Sequence, residues 1–340
     1  MPVTIIIGGQ YGSEGKGKVA HYFAREMKAS FAVRCGGPNS GHTVIDEQGR
    51  ARIFQQLPTA AILPDVKLAI CSGSYIDLDI LLKEIAETNL DKDRLLIDPN
   101  AVIITDELKA RETQSGLMDR IGSTGSGTGA AVAARINREP SLCFAKDIPE
   151  LKPFIANVSK RLRSSLNSRE RIIIEGTQGF GLSPLHGGHY PYATSRDTTA
   201  AAFLSETGLS PLDVDDVVLT IRTFPIRVAG NSGPFSHPDD EIDWNTITLE
   251  GGHSQPIEER TSVTKHVRRV ARFDPEIVRQ AIISNRPTTI VLNHIDYLSS
   301  NKEQVKQQKI QSFIFMVENT LKNNINFLGL GPDTLQANTY

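Results

Sequence analysis

The chain has 340 residues, 39% of them hydrophobic and 22% charged, with a formal net charge of -2. Length and apolar content suffice for a sizeable core without disulfides or a structural metal, and the small net charge excludes a general polyanion-binding surface and with it a nucleic-acid partner. Three scattered cysteines, Cys35, Cys71 and Cys143, contain no CxxC pair and read as reduced thiols, and the absence of a basic leader or long apolar run points to a cytoplasmic protein with no membrane contact.

The first element in chain order is Val3-Thr4-Ile5-Ile6-Ile7, a β-branched run ending at Gly8-Gly9 that reads as a buried parallel strand. A glycine-rich turn follows, then a helical pattern with Val19, Tyr22, Phe23 and Met27 on one face. Further strand signals lie at residues 31–33, 68–70, 95–97, 171–174, 217–220 and 289–292, with helical stretches at 77–88 and 275–283. This alternation predicts an α/β fold: a mostly parallel sheet with helices on both faces and a phosphate-binding glycine loop after the first strand. Two stretches rich in Gly, Pro and Ser, 179–199 and 229–238, read as long substrate loops. No linker or repeat divides the chain, so a single domain over 1–340 is expected.

Gly12-Ser13-Glu14-Gly15-Lys16-Gly17-Lys18 fits G-x-x-x-x-G-K, in which glycines let backbone N–H groups converge on phosphate oxygens at a helix N-terminus. Lys16 and Lys18 would neutralise phosphate charge. Val19 stands where a P-loop has the Ser or Thr that holds magnesium, so a metal must find its ligands elsewhere.

The run from Gly8 to Lys18 resembles the N-terminal signature of adenylosuccinate synthetases. Further blocks resemble the same family in the same order: residues 34–43 with Asn39, Gly41 and His42, residues 122–129, residues 175–179 continuing to 190–195, residues 261–274 leading into Asn293-His294-Ile295-Asp296, and the closing Gly329-Leu330-Gly331-Pro332-Asp333. The compact length resembles archaeal and phage forms. The resemblance implies a ligase that phosphorylates a purine 6-oxygen so that aspartate can displace it, using a nucleoside triphosphate and Mg2+.

It also implies roles. Ser13, Lys16 and His42 take the catalytic positions, with His42 bonding the transferring phosphoryl group. The triphosphate falls to Gly12, Glu14, Gly15, Lys16, Gly17 and Lys18, with Asn293, Asp296, Gly329 and Gly331 at the base end. The purine monophosphate falls to Ser13, Asn39, Ser123, Thr124, Gln178 and Thr194, and to Arg138 reaching from a neighbouring subunit, which implies a homodimer with shared sites. Aspartate falls to Val263, Thr264 and Arg268, whose planar guanidinium suits a carboxylate. The metal falls to Ser13 and the Gly41 carbonyl. His266 stands where the family pattern has an arginine near the ribose.

Ser13 occupies the position of the family's catalytic aspartate, and serine is a poor base and a weak metal ligand at neutral pH. A shorter neutral side chain leaves room for a purine 2-amino group, and the replacement resembles the phage branch that makes 2-aminoadenine nucleotides. The expected substrates are therefore dGMP, L-aspartate and ATP or dATP. GTP is favoured less, because His294 replaces the lysine of the guanine-reading N-K-x-D element, although Asp296 is retained. The alternatives are an ordinary synthetase using IMP and GTP and a non-catalytic nucleotide-binding homologue.

Overall fold

The computed structural model describes residues 2–261, 265–300 and 304–339. Its centre is a nine-stranded sheet. Across the sheet the strands run Leu335–Ala337, Phe327–Gly329, Thr289–Asn293, Val214–Arg222, Val3–Gly8, Ile172–Glu175, Phe31–Arg34, Lys67–Ile70 and Leu95–Ile97. All neighbouring pairs are parallel except the last hairpin, Phe327–Gly329 with Leu335–Ala337. Every residue of Val3–Gly8 is buried, as a central parallel strand covered on both faces must be.

Alternation along that strand sorts its side chains into two cores. Val3, Ile5 and Ile7 pack with Phe203, Ile277, Val278, Ile314 and Val317, which belong to helices Ala200–Thr207, Pro275–Asn285 and Gln304–Leu321. Ile6 faces the other way, onto Val19, Ala20 and Phe23 of helix Lys16–Glu26. The expected helix-covered, mostly parallel sheet is what the chain forms.

Four polar side chains gather at the carboxyl end of the sheet. Arg34, Glu175, Arg222 and Asn293 are each the last residue of a parallel strand, and the register sets Arg34 beside Glu175 and Arg222 beside Asn293. The carboxyl ends of such strands, where loops splay apart, form the usual ligand crevice of open α/β sheets.

Several elements carried no clear sequence signal. A hairpin pairs His42–Ile45 with Ala51–Phe54, so His42 opens a strand rather than sitting in a loop. Helices Asp106–Gln114, Thr128–Ile136 and Trp244–Gly251 and a small antiparallel sheet of Ile226–Arg227, Arg269–Ala271 and Glu241–Ile242 also stand outside the initial reading. Among the described residues no helix is long and apolar enough to cross a membrane.

Gly176 leaves the strand Ile172–Glu175 through a gap with no room for a side chain. A Cβ there would lie 2.5 Å from the Phe203 ring and 2.7 Å from the Ile6 carbonyl oxygen. Gly176→Ala should therefore cost about 1–3 kcal/mol, seen as a lower urea midpoint with an unchanged slope. An unshifted midpoint would refute this packing.

Candidate active site

The glycine loop folds around its own carboxylate. Gly12, Ser13 and Gly15 all have positive φ (98°, 58° and 86°), turning successive amides inward. Glu14 Oε1 accepts from Gln10 N (3.1 Å) and Gly12 N (2.8 Å), and Oε2 pairs with Lys16 Nζ at 2.7 Å, with both side chains buried. Glu14 is thus placed inside the loop. The next loop closes over it, since a Cβ on Gly179 would lie 2.3 Å from Glu14 Oε1 and 2.4 Å from Gly12 N.

The closing segment of the chain meets the same loop. Asn293 Nδ2 donates to the Glu14 carbonyl (2.6 Å), and a Cβ on Gly15 would lie 2.9 Å from that nitrogen. Lys18 Nζ donates to the carbonyls of Gly331 (2.8 Å) and Thr334 (3.3 Å), and Gly331 N donates to Asp296 Oδ1 (3.2 Å). Burial pulls Lys18 down to about 8, opposed by Asp296 and Asp333. Gly329 lies against both Asn293 and Lys18. Six of the residues expected at the triphosphate, Gly15, Lys18, Asn293, Asp296, Gly329 and Gly331, therefore converge. His294 has φ 60° and packs beside Tyr297 (ring centroids 5.2 Å apart), and burial together with Arg222 brings it to about 3, so its ring is neutral.

His42 belongs to a buried network. Glu175 Oε1 accepts from Arg34 Nη1 (2.7 Å) and lies 2.5 Å from His42 Nδ1, while Oε2 accepts from both Thr59 N and Thr59 Oγ1 at 2.8 Å. Arg34 also closely approaches His42 Nδ1. Arg34 can only donate and Glu175 only accept, so the two contacts at Nδ1 call for opposite tautomers; with Arg34 Nη1 also donating to Glu175 Oε1, the carboxylate bond puts the proton on Nδ1 and leaves Nε2 as the open lone pair. Burial and Arg34 pull His42 down to about 3 despite Glu175. Burial alone would raise Glu175, but His42 and Arg34 outweigh it and hold the carboxyl below its usual range. Gly17 packs directly under His42, tying the histidine to the helix that follows the glycine loop. Glu175 and Arg34 lie inside the sequence blocks, yet nothing in the sequence singled them out.

Asn39, Gln178 and Thr194 line one polar cleft, joined by Thr128, Thr177 and Arg196, which sequence reasoning missed. Thr177 Oγ1 is buried there without a partner, a hydroxyl suited to a ligand. Arg196 Nη1 is held by Glu206 at 2.7 Å. Ser123 and Thr124 stand outside the cleft lining. The Ser123 hydroxyl donates to Glu112 Oε1 (2.9 Å), and Glu112 Oε2 takes the Gly129 and Ala130 amides of the helix whose Thr128 reaches the cleft. Thr124 is exposed. Arg138 is also exposed, at φ 57°, and its neighbour Ile136 shows 68% of its surface.

Arg268 Nη1 donates to Ser13 Oγ at 2.6 Å, and its Nε to the Arg260 carbonyl at 3.3 Å. Arg222 instead holds Glu259 through both Nη atoms and the Ser13 carbonyl through Nη1 (2.9 Å). Burial pushes Glu259 up, but Arg222, His294 and Arg268 outweigh it and bring it to about 2. Arg268 itself has no carboxylate within ion-pair distance among the described residues. Val263 and Thr264 lie outside the described residues, and His266 is exposed.

Magnesium favours carboxylate and phosphate oxygens. The protein oxygens expected for it are the Gly41 carbonyl and a Ser13 hydroxyl that already faces the Arg268 cation. This set fits a metal held mainly through substrate phosphates. Among the described residues, the one group of three His, Cys, Asp or Glu side chains close enough for a metal is Cys35, Cys71 and Glu206, behind the cleft, where both cysteines are free thiols.

A model of the adenylosuccinate synthetase family matches residues 5–143 and 143–306. The adenylosuccinate synthetase of Methanocaldococcus jannaschii is 38% identical over 98% of this chain and 95% of its own, and that of Archaeoglobus fulgidus is 34% identical over 99% and 97%. Among solved structures, the succinoaminodeoxyadenylate synthetase of cyanophage S-2L, bound to dGMP and dATP as an energy donor, superposes with a TM-score of 0.82 at 31% identity, covering 99% of this chain and 95% of that one. The fully ligated adenylosuccinate synthetase of Plasmodium falciparum shares the fold, with a TM-score of 0.85 at 20% identity over the whole of both chains.

The buried histidines give a pH signature. A histidine near its ordinary value when unfolded but at about 3 when folded stabilises the native state at neutral pH, and that stability is lost as pH falls from about 6.5 towards 3. His42→Asn should reduce the fall in unfolding free energy between pH 6.5 and 5 by about 1.4 kcal/mol per pH unit, measured by urea titration at each pH. Equal slopes in variant and parent would contradict a buried neutral His42.

Proposed function

This chain belongs to the adenylosuccinate synthetase family and is a C–N ligase, and we propose that it joins L-aspartate to C6 of dGMP at the expense of ATP or dATP, giving N6-succino-2-amino-2'-deoxyadenylate. The observation that carries the proposal is the Ser13 hydroxyl accepting from Arg268 where the family pattern has a carboxylate. An aspartate here would neutralise Arg268 and fill the space beside the purine. In this reading the shorter serine leaves room for a 2-amino group and gives Arg268 a neutral side-chain partner. The succinoaminodeoxyadenylate synthetase at 31% identity, bound to dGMP and dATP, supports this choice of substrates.

In this reading the purine O6 attacks the γ-phosphorus, N1 gives its proton to solvent and the nucleoside diphosphate leaves. The Ser13 oxygen already accepts from Arg268, so its own proton is free to donate to N1 as that atom becomes an acceptor. The Arg268 charge behind it favours the N1-deprotonated purine, which replaces removal by a carboxylate base with electrostatic stabilisation. Incoming phosphate charge raises the basicity of His42 Nε2. The ring then takes a proton and donates it towards the phosphoryl oxygens, held by Glu175 at its other nitrogen. The remaining Arg268 donors bind a carboxylate of aspartate, whose neutral amine attacks C6, expels inorganic phosphate and gives up its surplus proton to solvent.

The second reading, IMP with GTP, is favoured by the higher identity to archaeal synthetases and by retention of Asp296. Product masses after offering IMP, GMP and dGMP together, with ATP and GTP in separate reactions, separate the two. The succinyl adduct of dGMP should predominate with ATP, and Ser13→Asp should shift the ratio towards IMP by roughly tenfold or more. Consumption of IMP with dGMP left untouched would sink the proposal.

We also propose a homodimer in which exposed Arg138 reaches the partner's monophosphate. Arg138→Leu should then raise the monophosphate KM about tenfold while leaving the aspartate KM unchanged. An unaltered monophosphate KM rules this out.

A further inference from the structure

A second cavity, of about 430 Å³, lies away from the glycine loop and the cleft. Phe224, Ile247, Phe273, Tyr297 and Leu298 form its walls on one side. The other side is a single face of helix Gln304–Leu321, where Lys309, Ser312, Phe313 and Met316 recur at the i, i+3, i+4, i+7 spacing of an α-helix. The volume falls within the range of small-molecule sites, and aromatic rings on several sides suit a flat ring system.

The charges at its rim define the rest of the ligand. Glu250 is already neutralised, holding Arg272 through both carboxylate oxygens (2.6 and 2.8 Å). Lys309 Nζ donates to the Glu250 backbone carbonyl at 2.5 Å and has no carboxylate in ion-pair distance among the described residues. Lys309 thus adds a positive charge beyond the Arg272–Glu250 pair and, with the Ser312 hydroxyl one turn further along the helix, suits a ligand with an acidic group.

The cavity also touches the machinery of the site. The Tyr297 hydroxyl donates to Glu259 (3.0 Å), which holds Arg222, and Arg222 in turn holds the Ser13 carbonyl. Phe224 follows two residues after Arg222, and between them Thr223 Oγ1 donates to the His294 carbonyl (2.8 Å). A molecule pressed against Tyr297 and Phe224 therefore acts on the strap that presents Ser13 to Arg268.

We propose that this cavity is an effector site for a flat aromatic anion, and that its occupancy changes the enzyme's affinity for aspartate. The probe is 8-anilinonaphthalene-1-sulfonate, titrated by fluorescence into the full chain. Saturable binding at one site per chain is expected, weakened about tenfold in Lys309→Met and abolished in Ser312→Trp, which fills the cavity. Met316→Trp should abolish it too, and circular dichroism shows which filled variant is folded. Saturating probe should shift the half-saturating aspartate concentration about fivefold in the parent and not in the filled variants, and aspartate should shift the probe Kd by the same factor. Phosphate release is followed with IMP and with dGMP in separate arms, so a wrong purine assignment leaves this result readable. Probe binding that survives in folded filled variants, or saturation of the probe without any change in aspartate dependence, overturns the proposal.

Discussion

Burial of the Glu175 carboxylate at the end of a central strand is the constraint around which the rest of the site is arranged. Removing a carboxylate from water costs several kcal/mol unless opposite charge and hydrogen bonds replace the lost hydration. Here Arg34 supplies the charge, His42 one hydrogen bond and Thr59 two more. Arg34 and Glu175 end neighbouring parallel strands in register. A one-residue slip would turn one of them to the opposite face of the sheet and strand the other. Sheet register and the geometry of the Arg34–Glu175–His42 network are therefore the same requirement, and the hairpin that carries His42 is held at its first residue by the carboxylate it contacts.

The same logic applied elsewhere makes Arg268 stand out. Arg34, Arg196 and Arg222 each have a carboxylate partner, whereas buried Arg227, at the end of a strand in the small sheet, lies over the Tyr11 ring with no carboxylate in ion-pair distance among the described residues. Arg268 meets a serine hydroxyl and a backbone carbonyl instead. A charge left this way beside the glycine loop is available to an incoming anion, and it raises the local potential for whatever negative charge the reaction develops. A serine at this loop position thus gives Arg268 a neutral side-chain partner in place of a charged one.

The framework was legible because burial patterns are local. An all-buried β-branched run before a glycine loop, and strands alternating with amphipathic helices, follow from spacing within a few residues. Asn39, Gln178 and Thr194, drawn from separate sequence blocks, line one cleft. The partners that set the state of His42 were not legible, since Glu175 lies 133 positions away and a glutamate at a strand end carries no mark of burial. The Glu112 anchor of residues 123–130 was hidden for the same reason, and a glycine-rich block concealed the helix Thr128–Ile136. Ser123 and Thr124 show the converse. They lie outside that cleft lining, Ser123 bonded to a carboxylate and Thr124 exposed.

The carboxylate enclosed by the glycine loop has a consequence for nucleotide selection. Glu14 already occupies two amides and the Lys16 ammonium, so the loop is folded around a neutral ion pair before any nucleotide arrives. An incoming phosphate chain must draw Lys16 away from a partner 2.7 Å distant. On the proposed reading, a triphosphate whose base end meets the Asn293 and Gly331 segments would offset that exchange with contacts that a small anion such as inorganic phosphate lacks, so the resident counter-ion would favour whole nucleotides over their fragments.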